Sequence, residues 1–168
     1  MVNVRQHNPT PSSPFGGRLN LLLSSGPGSM PGNDWACQLP TLLAPMGVTT
    51  VIARSGAEAT DVIRSTPVHL AIVDLGIPLE TSTAEQSSGG EGGKRVLELL
   101  SRLESPPPTL IIKARRTKRE DGRALHAALT AGAFAVLDRP VNLETVLRTM
   151  SRALSKHYAD RWPDSHSS

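Results

Sequence analysis

The sequence predicts a doubly wound α/β domain, in which helices cover both faces of a five-stranded parallel sheet. Short apolar segments alternate along the chain with segments of helical periodicity, which is the pattern of such a sheet. The 168 residues, of which 38% are hydrophobic, are enough for one core of this kind. Aromatic residues make up only 3%, so that core must be aliphatic.

Five apolar segments are predicted to form the strands. Each is apolar at almost every position, which is typical of strands that are buried on both faces. The segments are Leu19–Leu23, Val48–Ala53, Val68–Asp74, Thr109–Lys113 and Phe134–Asp138.

The segments between the strands carry the signals of helices. The first helix is expected from Asn33 or Asp34 to Met46, with Gly47 as its stop and a kink or late start near Pro40. The next three are predicted over 58–64, 94–103 and 118–131, the third of these ending at Gly132. The apolar face of a last helix is formed by Leu143, Val146, Leu147, Met150 and Leu154.

The composition divides the chain into one domain and two tails. Residues 1–17 are rich in Pro, Ser, Asn and Gly and are predicted to be disordered, and residues 158–168 are predicted to form a second tail. The domain then covers 18–157, with a flexible Ser/Gly-rich insert over 79–93. Tyr158 and Trp162 either fold back on the domain or serve as a docking handle.

Several function classes are disfavoured by the composition. Cys37 is the only cysteine, which excludes an internal disulfide and a cysteine-based zinc site. The five histidines show no metal-ligand spacing, and no Ser/His/Asp or Cys/His set indicates an enzyme. The sequence has no run of 18 apolar residues and no signal-peptide pattern, so we expect a cytoplasmic protein without membrane contact. The formal charge of +3 permits an acidic partner but does not favour nucleic acid.

Asp74 is the candidate functional residue, because open α/β sheets place their ligand chemistry at the carboxyl ends of strands. Leu75-Gly76-Ile77-Pro78 follows it, and Ala131-Gly132-Ala133 and Arg139-Pro140 come later. In this order and spacing, these residues resemble the receiver domain of response regulators in two-component signalling, over residues 18–155. The resemblance implies a flavodoxin-like (βα)5 sandwich of strand order 2-1-3-4-5. It also implies that a partner histidine kinase phosphorylates Asp74.

The other site positions depart from the family pattern. Ser24 and Ser25 stand where the family has two acidic residues that bind Mg²⁺, Lys113 stands at a Thr or Ser position, and Arg139 replaces a lysine. One carboxylate and two cations then give +1 where the family has −2. A divalent ion ~5 Å from a unit charge feels about 7 kcal/mol of gross Coulomb energy at an effective dielectric constant of about 20. We therefore expect weak or absent Mg²⁺ binding and contacts from Lys113 and Arg139 to Asp74.

The resulting hypothesis is an atypical receiver that acts by protein–protein interaction, with impaired Mg²⁺-dependent phosphorylation. The implied partners are a histidine kinase, a phosphotransfer protein or an output protein. The predicted partner surface is a basic cluster, for which the alternative interpretation is a helix face that only contacts solvent. The cluster consists of Arg115, Arg116, Lys118, Arg119 and Arg123. Three alternatives stay open. They are a receiver phosphorylated on Asp74, a nucleic-acid-binding protein, and a small α/β enzyme or nucleotide-binding module, for which Gly26-Pro27-Gly28 is a weak phosphate motif because Pro27 lacks an amide donor.

Overall fold

A five-stranded parallel sheet forms the centre of the molecule. The computed structural model describes residues 19–25, 35–80, 91–113 and 118–158. The strands are β1 (Leu19–Ser24), β2 (Val48–Ala53), β3 (Leu70–Asp74), β4 (Thr109–Lys113) and β5 (Ala135–Asp138). Their spatial order is β2-β1-β3-β4-β5, and every adjacent pair is parallel. This confirms the predicted doubly wound fold.

In the described parts of the chain, four helices lie between successive strands and a fifth follows β5. They are α1 (Trp35–Leu43), α2 (Gly56–Ser65), α3 (Glu91–Ser101), α4 (Lys118–Thr130) and α5 (Leu143–Tyr158). The predicted first helix changes after Leu43 into a 3-10 turn, Ala44–Met46, and Gly47 ends that turn with a φ of 81°. The predicted cap at Asn33 or Asp34 lies outside the described residues. No helix in the described parts of the chain has both the length and the apolar character to cross a membrane.

Two aliphatic layers hold the helices on the sheet. Helices α1 and α5 cover the face that carries Leu21, Leu23 and Ile72, while α2, α3 and α4 cover the face that carries Leu22 and Val73. Successive strand residues point to opposite faces, so a strand buried on both sides must be apolar throughout. This is the pattern from which the strands were predicted. Because the strands are parallel, the carboxyl ends of β1, β3, β4 and β5 lie at the same edge of the sheet.

Helix α3 begins within the segment 79–93 that was predicted to be a flexible insert. Gly92 and Gly93 are buried residues of α3, which begins at Glu91 and not at Lys94. A Cβ atom at Gly92 would lie only 2.2 Å from the carbonyl oxygen of Pro78, so the helix approaches this loop as only glycine allows. The backbone N–H of Gly56, at the start of α2, donates to the same oxygen at 2.9 Å. Residues 81–90 lie outside the described residues.

The end of α5 corrects the boundary of the second predicted tail. Tyr158 is the last residue of the helix, and its hydroxyl donates to the carbonyl oxygen of His69 at 2.6 Å. Burial raises the pKa of Tyr158 to about 12. The tyrosine therefore folds back on the domain, as one of its two predicted roles required. Trp162 and the predicted tail 1–17 lie outside the described residues.

Candidate functional site at the carboxyl edge of the sheet

Asp74 ends β3 and is buried, with 4% of its surface exposed. Its backbone N–H donates to the hydroxyl oxygen of Ser24, at the end of β1, over 3.1 Å. On the other side, the N–H of Leu75 donates to the carbonyl oxygen of Ile112 in β4 at 2.9 Å. The backbone around Asp74 is thus hydrogen-bonded to both neighbouring strands. One of these bonds is accepted by the hydroxyl of Ser24, which stands where the resembled family has an acidic residue.

Both carboxylate oxygens of Asp74 have partners within the chain. Oδ1 accepts the backbone N–H of Gly76 at 2.8 Å, and Oδ2 pairs with the Nη2 of Arg139. Arg139 directly follows β5, and its own backbone N–H donates to the carbonyl oxygen of Lys113 at 2.9 Å. This contact fixes the start of the Arg139 side chain, whose exposed fraction is 34%. The cation–carboxylate contact expected between Arg139 and Asp74 is present.

Lys113 forms a second ion pair, with a residue that the sequence analysis did not single out. Its Nζ lies 2.5 Å from Oδ1 of Asp138, and the lysine side chain is buried while that of Asp138 is 42% exposed. The contact that was predicted between Lys113 and Asp74 stays a prediction. Asp138 adds a second carboxylate, so these four side chains are formally neutral and not +1.

The register of the sheet explains this pair. Lys113 and Asp138 are direct Cα partners across β4 and β5, and such neighbours carry their side chains on the same face. The signal was present in the sequence as an acidic residue at the end of the fifth predicted strand. It could be used only once the alignment of the last two strands was known.

The remaining predicted positions lie farther from the carboxylate or beyond the described residues. Ser25 follows β1, and its backbone N–H donates to the carbonyl oxygen of Ala53 at 3.2 Å. In the basic cluster, Arg119 and Arg123 are exposed on α4, one helical turn apart. Lys118 is the first residue of α4, while Arg115 and Arg116 lie outside the described residues. Across the described ranges, no group of three or more His, Cys, Asp or Glu residues could hold a metal ion.

The fold is that of receiver domains. A CheY-like response regulator receiver domain protein from Methanospirillum hungatei superposes with a TM-score of 0.64 at 17% identity, covering 86% of this chain and 99% of that one. A signal receiver domain of an HD domain-containing protein from Pseudomonas fluorescens gives 0.62 at 18% identity, with 84% and 98% covered. The non-phosphorylated HemR receiver domain from Leptospira biflexa gives 0.60 at 19% identity, with 89% and 99% covered.

Comparisons of the amino-acid sequence give no match. No protein-family model matches it, and no curated protein does. At identities below 20%, the structural likeness establishes the fold, and the function has to be argued from the side chains around Asp74.

Proposed function

We propose that this chain is an atypical receiver domain that transmits signals through protein contacts, with impaired Mg²⁺-dependent phosphorylation of Asp74. The observation that carries this proposal is the pairing of Arg139 with the buried Asp74 carboxylate. A guanidinium group keeps its charge at every physiological pH, so the pair does not open by titration of the arginine. The charge of the Asp74 carboxylate is therefore neutralised by a side chain of the same protein.

The donor set around Asp74 does not fit a bound Mg²⁺ ion. Mg²⁺ requires near-octahedral oxygen ligands and is usually held by one or two carboxylates with several waters. Here Ser24 offers a neutral hydroxyl that already accepts a hydrogen bond, and the nearby Asp138 carboxylate is paired with Lys113. A metal ion would have to displace Arg139 from Asp74, which would separate a largely buried ion pair.

Signalling by protein contacts fits this internal arrangement. The two ion pairs connect the ends of β3, β4 and β5, so they stabilise one conformation of the edge that binds phosphate in the resembled family. Arg119 and Arg123 present positive charge on exposed α4 and support an acidic protein partner. Such a partner would be a histidine kinase, a phosphotransfer protein or an output protein of a two-component pathway.

Phosphorylation by a small donor tests the proposal. The protein is incubated with acetyl phosphate, with and without Mg²⁺, and its intact mass is measured beside that of an established phospho-accepting receiver. We expect the reference receiver to gain a phosphoryl group and this protein to gain none. An Mg²⁺-dependent adduct that disappears in Asp74→Asn would contradict the proposal.

A phospho-accepting receiver is the second candidate, because two cations lie at the phospho-acceptor edge. Arg139 contacts Asp74, and Lys113 ends the adjacent strand, so both could neutralise phosphoryl oxygens without a metal. A phosphorylated histidine of a partner would supply the group, with the P–N bond broken as an Asp74 oxygen binds phosphorus. Transfer of radiolabel from a phosphorylated phosphotransfer protein to the wild type, but not to Asp74→Asn, would favour this candidate.

A further inference from the structure

A cleft lies at the opposite edge of the sheet, where β4 and β5 begin. Its volume is about 630 Å³. One wall is the segment Pro106–Pro108 before β4, a second is Gly132–Ala135 at the start of β5, and the third is the carboxyl half of α5. The Asp74 site lies at the other ends of the same strands, so the two sites are separated by the length of the sheet.

Hydrogen bonds preform the apolar part of the cleft. The carbonyl oxygen of Pro108 accepts the N–H of Ala71 at 3.1 Å, and that of Pro107 accepts the Thr109 hydroxyl at 3.1 Å. The N–H of Phe134 donates to the carbonyl oxygen of Thr109 at 2.8 Å. Since prolines have fixed φ angles and no N–H, this wall offers a rigid apolar surface with little need for polar partners.

The third wall of the cleft is cationic. Arg152 and Lys156 lie one helical turn apart on α5, both exposed, and both line the cleft with His157. Lys156 Nζ lies 5.9 Å from the centre of the Phe134 ring, a cation–π distance. Within the described residues, neither Arg152 nor Lys156 forms an ion pair, although Arg148 on the same helix pairs with Glu144 at 2.6 Å. None of the described residues that line the cleft is acidic.

We propose that this cleft binds an acidic peptide segment of a partner protein. An apolar side chain of the peptide would pack between Pro106 and Phe134, while its carboxylates would contact Arg152 and Lys156. The volume lies within the roughly 300–1,000 Å³ range of ligand sites. Exposed cations beside a rigid apolar wall favour an occupant that brings both negative charge and an apolar group. This binding is independent of Asp74 and does not rest on the function proposed for that residue.

Amide NMR on the full chain tests the proposal, with acetylated and amidated Glu-Leu-Glu-Leu-Glu-Leu as the probe. We expect saturable chemical-shift changes at Gly132–Ala135 and in the carboxyl half of α5, and similar changes in the Asp74→Asn variant. A Lys-Leu peptide of the same length should cause none. Changes at other surfaces, equal changes with the Lys-Leu peptide, or no changes at all would overturn the proposal.

Two charge-matched variants make the test specific. Arg152→Glu/Lys156→Glu should weaken peptide binding by about tenfold or more, while Arg95→Glu/Arg102→Glu, on and just after α3, should leave it within about twofold. Equal losses in both would mean non-specific attraction. If residues 159–168, which include Asp160, Trp162 and Asp164, fill the cleft themselves, the probe will bind only after their removal. That result would also overturn the proposal.

Discussion

The two edges of the sheet differ in whether their charged side chains form ion pairs. At the carboxyl edge, Asp74 pairs with Arg139 and Lys113 pairs with Asp138, so the cations there are neutralised by the chain itself. At the amino edge, Arg152 and Lys156 face a cleft without an ion-pair partner among the described residues. The same strands and the same helix α5 thus connect a site whose charges are paired within the chain with a site whose cations have no ion-pair partner among the described residues.

Burial explains this difference. Asp74 and Lys113 are almost fully buried, and a buried charge must be paired because losing its hydration costs several kcal/mol, on the order of the whole stability of a domain. Arg152 and Lys156 are exposed and remain hydrated, so they need no partner to fold. This difference is consistent with the two proposals, in which the carboxyl edge stabilises one conformation and the amino edge binds another molecule.

The largest expected effect comes from breaking the glycine contact beside the carboxyl edge. Gly92→Ala would place a methyl group 2.2 Å from the backbone oxygen of Pro78, and neither group is a flexible side chain. We expect α3 to shift away from the loop after β3 and the free energy of unfolding to fall by about 3 kcal/mol. Urea denaturation followed by circular dichroism measures this change.

Gly122 in α4 provides the matched control. A Cβ atom there meets nothing within 4 Å, so Gly122→Ala should leave the packing unchanged and stabilise the protein by about 0.5–1 kcal/mol through helix propensity. Equal effects of the two substitutions would show that the close approach at Gly92 is not required.

The next effect comes from removing the cation beside Asp74. Arg139→Gln leaves a carboxylate with 6% of its side chain exposed and no guanidinium partner. Because Arg139 is itself partly exposed, we expect a loss of about 2 kcal/mol in the free energy of unfolding, below the value for a fully buried pair. Urea denaturation of the single variants and of Asp74→Asn/Arg139→Gln completes a double-mutant cycle. Additive effects in this cycle would contradict a direct interaction.

A smaller effect is expected at the second ion pair. Asp138→Asn removes the carboxylate that lies 2.5 Å from the buried Lys113 ammonium. The exposed position of Asp138 weakens the pair by solvent screening, so we expect a loss of about 1 kcal/mol. Thermal unfolding at low and high salt measures it. A variant as stable as the wild type at both salt concentrations would mean that Lys113 does not depend on Asp138.

The smallest effect concerns Tyr158 at the amino edge. Tyr158→Phe removes the hydrogen bond to the His69 carbonyl and should cost about 0.5–1 kcal/mol. Because burial raises the pKa from its ordinary 10.0 to about 12, the folded state holds the phenol proton more tightly than the unfolded state. Stability should therefore be unaffected by this group below pH 10 and fall as the pH rises from 10 to 12.

The absorbance of the phenolate measures this titration directly, since Tyr158 is the only tyrosine. The alkaline loss of stability should be smaller in Tyr158→Phe than in the wild type. A phenol that titrates near its ordinary pKa would show that the end of α5 is not docked on the domain.

Strands β1, β3 and β4 could be predicted from the sequence because they are buried on both faces and are therefore apolar at almost every position. The predicted bounds of β2 and β4 agree with the structure. The position of Asp74 at the end of β3 followed from the same pattern. The start of α3 could not be predicted, because glycines disfavour helices on their own. At Gly92 the close approach to Pro78 outweighs that preference, and this contact joins residues that only the folded chain brings together.

The residues of the candidate site could be predicted from the sequence, but the contacts between them could not all be predicted. Lys113 and Arg139 follow from the ends of two strands, yet the Lys113–Asp138 ion pair depends on the register between β4 and β5. The hydrogen bond from the Asp74 backbone N–H to the Ser24 hydroxyl depends likewise on the pairing of β1 with β3. Such long-range alignments are set by the packing of the whole sheet, which local periodicity does not contain.

The central claim is that Arg139 takes the place of a metal ion at Asp74. It is tested most directly by titrating Mg²⁺ to millimolar concentrations, in the presence of beryllium fluoride as a phosphoryl mimic, while amide NMR follows residues 74–76. The account predicts no saturable shift at these amides in the wild type or in Asp74→Asn. Saturable shifts at residues 74–76 that are lost in Asp74→Asn would contradict it.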